Sequence, residues 1–107
     1  MPKYMIQARY TTEGIKGLVG DSASGRRADV QAAVKAVGGK LEAFYYTFGE
    51  DDVMCIMDLP SNVAAVALAV TSLGSGGVRI RTTPLLTVEE VDQALEIQTQ
   101  YRAPGQS

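Results

Sequence analysis

The sequence predicts an α+β fold, on three observations. Four segments carry the residue-by-residue alternation or β-rich composition of strands, three carry helical stripes, and they come in the order β-α-β-β-α-β followed by a last helix. A chain of 107 residues is of single-domain size. We take residues 1–101 as that domain and 102–107, with their Pro and Gly, as a flexible tail.

Each element has its own signal. In Lys3–Arg9 the residues Tyr4, Ile6 and Ala8, continued by Tyr10, alternate with Met5, Gln7 and Arg9, as in a half-buried strand. Gly14, Gly17, Gly20 and Gly25 then suggest a loop with at most a short helical turn. Val30, Ala33, Val34 and Val37 place a helix over Ser24–Val37, which Gly38-Gly39 ends. Leu41–Phe48 and Val53–Asp58 read as strands. Ser61 after Pro60 is an N-cap for a helix marked by Val63, Val66, Ala67, Val70 and Leu73. Val78–Thr83 is the fourth strand. Thr87 and Glu90 form a capping box that opens a last helix to about Tyr101.

This order is the split-βαβ, ferredoxin-like arrangement. Right-handed crossovers put the first and third strands in the centre of an antiparallel sheet with the helices on one face. The second helix is apolar nearly all round, Ala65, Leu68 and Ala69 lying opposite Val63, Val66 and Val70, so the last helix or another subunit is expected to cover it.

Composition excludes several activities. There is no histidine, which removes Ser-His-Asp and Cys-His pairs, His-ligated metals and the usual neutral-pH base. The single cysteine, Cys55, excludes an internal disulfide. A net charge of −2 offers no basic field for nucleic acid or anionic lipid. Strand three reads Val-Met-Cys-Ile-Met-Asp rather than an RNA-recognition signature, so nucleic acid is not an expected partner. No apolar run approaches the ~20 residues needed to cross a bilayer, and no signal pattern opens the chain; a cytoplasmic protein is expected.

Glu50, Asp51 and Asp52 follow Gly49 in a row. A calcium loop needs alternating oxygen ligands and a later bidentate glutamate, and Met54 to Met57 adds none. The stretch is expected to be a solvent-exposed hairpin turn without metal.

Two other constellations invite a ligand. On the sheet face away from the helices, Arg9, Arg79 and Arg81 are expected to share a surface with Phe44, Tyr46, Phe48, Met54 and Ile56. Such a patch suits a subunit interface, with the arginines pairing with Glu42 and Asp58, or an anion site. On the helix side, Ala8, Ala43 and Cys55 are small and Tyr10 and Tyr45 are phenols. They either admit a helix closely or floor a narrow apolar pocket. Cys55 reads as an inert core thiol.

The sequence resembles the GYD domain family over about residues 2–96. The resemblance rests on Tyr10-Thr11-x-x-Gly14-Ile15, Gly38-Gly39-Lys40, Phe44-Tyr45-x-Thr47-x-Gly49-x-x-Asp52, Val78-Arg79, Thr82 and Thr87-x-Glu89-Glu90. The family's Gly-x-Tyr-Asp turn reads Gly49-Glu50-Asp51-Asp52 here, with Asp51 at the tyrosine position. The resemblance implies a ferredoxin-like fold akin to the dimeric α/β-barrel proteins.

The functional expectation is a small homo-oligomer, a dimer in the first instance, acting as a small-molecule binding or regulatory module without a cofactor. Its candidate ligand residues are Tyr10, Tyr45, Arg9, Arg79 and Arg81. The alternative is a cofactor-free oxygenase or isomerase of dimeric α/β-barrel type on an apolar or phenolic substrate, using Tyr10 or Tyr45 with an arginine.

Overall fold

The structure is a computed structural model that describes residues 1–105. Its elements run β1 (Lys3–Tyr10), α1 (Thr12–Gly20), α2 (Ala23–Ala36), β2 (Lys40–Tyr46), β3 (Val53–Asp58), α3 (Asn62–Gly74), β4 (Val78–Leu85) and α4 (Val88–Glu96). The strands form one antiparallel sheet in the order β2-β3-β1-β4, which is the expected ferredoxin-like arrangement.

Alternation along β1 places its side chains as expected. Tyr4 and Ile6 are buried under the helices, and β3 contributes Val53, Cys55 and Met57 to the same side. Leu59 and Val34 are the most deeply buried large side chains, each worth about 1.5–3 kcal/mol relative to exposure. Gly38, at φ 82°, supplies the left-handed turn that ends α2.

Three expectations need correction. The glycine-rich segment after β1 is a helix of nine residues, α1, rather than a loop. Thr11 caps it by accepting the Gly14 N–H, and the Thr11 N–H donates to the Gly77 carbonyl, so tertiary anchoring offsets the poor helix propensity of glycine. The last helix stops at Glu96, short of Tyr101, and has no buried residue to prolong it. It also leaves α3 uncovered: Val63, Val66, Val70 and Leu73 are all exposed, while Ala64 and Ala65 face the core.

The third correction decides the faces of the sheet. The β2–β3 register shifts between Leu41 and Ala43: Leu41 lies opposite Met57, but Ala43 lies opposite Ile56 and Phe44 opposite Cys55. One extra residue reverses every side chain that follows it, because the strand period is two. Phe44 and Tyr46 therefore lie on the helix side. Ala43 and Tyr45 lie on the outer face, the reverse of the alternation expected from the sequence.

Candidate functional site

Helix α2 packs over β2 and α3 over β4, the two edge strands. Between the helices a cleft opens above the central strands. Its floor is Ile6 and Ala8 from β1 with Val53 and Cys55 from β3, and Phe44 closes one side. The inner part measures about 110 Å³ and is almost wholly apolar. It continues into a wider and more polar mouth of about 420 Å³ that includes Glu13, Asp21, Thr71 and Ser75. Tyr10, Arg26, Ser72 and Val78 border both parts. An apolar pocket with a few convergent polar groups is the usual form of a small-ligand site.

Tyr10 is the one predicted phenol in this cleft, and the end of β1 is firmly held. The Asp52 carboxylate accepts the Tyr10 N–H at 2.9 Å, and the Thr11 hydroxyl donates to the Gly76 carbonyl at 2.8 Å. Behind it α1 sits against the Gly76–Gly77 loop so closely that a Cβ on Gly14 would lie 1.9 Å from the Gly77 oxygen. That contact requires glycine.

Two groups beside the cleft are kept protonated at neutral pH. Burial pushes the Cys55 thiol up to about 11, and its sulfur lies 3.7 Å from the Ile6 carbonyl. Burial, followed by the neighbouring Tyr10, raises Tyr46 to about 12, and its hydroxyl donates to the Ala23 carbonyl at 3.1 Å. Tyr46 also meets Phe44 edge-on and stacks on Phe48, with ring centroids 5.3 and 5.6 Å apart. Phe44 and Tyr46 thus meet the N-terminal end of α2 at Ala23 and Ser24, with the exposed Phe48 stacked on Tyr46, instead of forming an outer patch.

The other predicted site residues lie on the opposite face. Arg9 stands directly across from Arg79, and Arg81 across from Gln7. The three arginines border one shallow depression with Glu50 and Asp51. Asp51 pairs with Arg81. Among the described residues neither Arg9 nor Arg79 has an acidic partner. Glu42 and Asp58, expected to serve the arginines, are both taken by the Lys3 ammonium, at 2.6 and 2.8 Å. Its hydrogen bonds raise the Lys3 pKa and lower that of Asp58. Tyr45 lies on this outer face too, 63% exposed and away from Tyr10.

Residues 4–95 match the family model described as the GYD domain. The chain belongs to the GYD domain family. No curated protein and no solved structure matches it.

In this GYD domain the three adjacent acids diverge. Asp52 holds β1 and Asp51 holds Arg81, both half-buried rather than solvent-exposed as expected, and only Glu50 is fully exposed. Among the described residues no cluster of His, Cys, Asp and Glu is placed to hold a metal ion, and no helix is long and apolar enough to cross a membrane.

Sequence reasoning missed Arg26, Ser72 and Phe44 as cleft residues. For the first two a signal existed. Arg26 is the i−4 extension of the Val30, Ala33, Val34 and Val37 stripe, and Ser72 extends the Ala65 and Leu68 row of α3. For Phe44 there was none, since only the bulge turns it inward.

Proposed function

We propose that this GYD domain is a small-molecule binding module whose site is the cleft between sheet and helices. A single observation carries the reading: an apolar pocket opens into a more polar mouth, with Tyr10, Arg26 and Ser72 at the junction. A dry cavity of about 150 Å³ accepts benzene, so the inner part has the scale of one ring. Arg26 is partly engaged by Asp29, 3.1 Å away, and Glu13 and Asp21 face the mouth. A negatively charged head would meet those carboxylates. The ligand class supported is therefore a small ring with a neutral hydroxyl or carbonyl oxygen, which Arg26, Tyr10 and Ser72 can hydrogen-bond.

Binding is favoured over the oxygenase or isomerase reading because Tyr45 lies on the outer face away from the cleft, the Cys55 thiol stays protonated, and no histidine exists to act as a base. The domain also self-associates through its outer sheet face. Met5, Met54 and Ile56 present an apolar strip there, beside the exposed Tyr45.

Chemical-shift titration with phenol, toluene and benzoate tests the site. Phenol should shift cleft amides saturably and bind tighter than toluene or benzoate. Ala33→Leu, on the exposed rim of the cleft, should weaken it about tenfold or more without loss of fold. Absence of a saturable phenol site, or binding indifferent to Ala33→Leu, would overturn the reading.

A further inference from the structure

The C-terminal helix is an arm without a seat. It has no buried residue and makes no more than marginal contact with any other element. With α4 and residues 97–105 beyond it, the molecule reaches 60 Å along its long axis, with a radius of gyration of 17.3 Å against about 13 Å for a compact chain of this length. Only Leu86 and Thr87 separate β4 from α4, and Thr87 is extended at φ −73° and ψ 161°, which carries the helix off the end of the sheet. An isolated helix shorter than about 12–15 residues is marginal in water even with a good cap. This one needs a surface.

Its sequence says what kind. Val88, Val91 and Leu95 form one row along the helix. Glu89, Asp92 and Glu96 form a second row beside it, and no basic residue interrupts them. The outer sheet face of the same chain carries the matching pair of rows. Met5, Met54 and Ile56 form an apolar strip across β1 and β3. Arg9, Arg79 and Arg81 form a basic strip along β1 and β4, where only Arg81 has an acidic partner among the described residues. Acidic residues spaced by about one helical turn, near 5 Å, match the spacing of Arg9 and Arg79, which stand directly opposite each other on β1 and β4, about 4.5–5.5 Å apart. The exposed stripe on α3 is the other apolar candidate, but α3 carries no charged side chain at all. Charge complementarity selects the sheet.

Within one chain this helix makes no more than marginal contact with this face. We propose that α4 docks on the outer sheet face of a second copy, in a reciprocal exchange of arms. Its apolar row lies on Met5, Met54 and Ile56, and its acidic row on Arg9 and Arg79. The exchange closes with two-fold symmetry and provides the counter-charges that the opposed Arg9 and Arg79 lack. This inference rests on the self-association reading above and is independent of the ligand cleft.

Charge-swap complementation tests it. One variant reverses the sheet, Arg9→Glu with Arg79→Glu; the other reverses the arm, Asp92→Arg with Glu96→Arg. Circular dichroism verifies that each is folded, and sedimentation equilibrium measures association. The wild type should dimerise, each variant alone should dissociate about tenfold or more easily, and an equimolar mixture should recover heterodimers, since both arm contacts are then complementary. Variants that dimerise like the wild type would overturn the exchange, as would a mixture of folded variants that stays monomeric. Loss of dimers only in Val66→Glu with Val70→Glu would assign the interface to α3 and also overturn it. A wild type that is monomeric at all concentrations would remove the self-association reading as well, leaving the cleft untouched.

Discussion

The carboxylate of Asp52 accepts the backbone N–H of Tyr10 at 2.9 Å, joining the β2–β3 turn to the end of β1 at the point where Tyr10 enters the cleft. The Asp52 N–H in turn donates to the Ala8 carbonyl at 2.8 Å. An acid that sequence reasoning placed in a solvent-exposed turn is thereby part of the scaffold of the candidate site.

Removing that acceptor should be felt both in stability and at Tyr10. Asp52→Ala leaves a partly buried N–H without its charged partner and should cost about 1–3 kcal/mol in urea denaturation. Asp52→Asn keeps an oxygen in place and should recover most of that loss. If Asp52→Ala is as stable as the wild type, the hydrogen bond does not hold the end of β1.

The bulge in β2 predicts opposite outcomes for adjacent tyrosines. Tyr46 meets Phe44 edge-on, stacks on Phe48 and donates to the Ala23 carbonyl, so Tyr46→Ala should destabilise the fold by about 2–4 kcal/mol. Tyr45 is exposed on the outer face, and Tyr45→Ala should cost less than about 0.5 kcal/mol when the protein is dilute enough to be monomeric. Denaturant midpoints of the two variants check the register directly. A reversed ranking would mean that β2 follows the unbroken alternation.

Alkaline pH should weaken the fold through Cys55. Its folded pKa, about 11, lies above the ordinary value of 9.0, because burial disfavours the thiolate. The unfolded chain therefore loses this proton first. Stability is complete below pH 9 and falls as pH rises from 9 toward 11, by roughly 2–3 kcal/mol at about 1.4 kcal/mol per pH unit of displacement. Tyr46 adds to the decline above pH 10. Cys55→Ala should flatten the part of the stability profile between pH 9 and 10, whatever its absolute stability. An unchanged slope in that variant would show that the thiol is not the source.

Much of the architecture was legible in the sequence because it depends on short-range pattern. Alternation in Tyr4, Ile6 and Ala8, the Val30–Val37 stripe, the Gly38 stop and the Thr87–Glu90 box each act within a few residues, and together they sufficed for the strand order. They also sufficed to put Tyr10 and the small residues Ala8 and Cys55 on the helix side, and Arg9, Arg79 and Arg81 on the other. Long-range contact decided the rest. The α1 segment is helical because Thr11 and Gly14 meet the Gly76–Gly77 loop, more than sixty residues away in the chain. Phe44 and Tyr46 face inward because pairing with β3 accommodates one extra residue near Glu42, while three consecutive aromatics offer either face an apolar side chain and so leave the phase undetermined. The cleft is likewise a tertiary fact: it exists because α2 and α3 stand over opposite edges of the sheet, a separation set by how two helices pack and by no residue read alone.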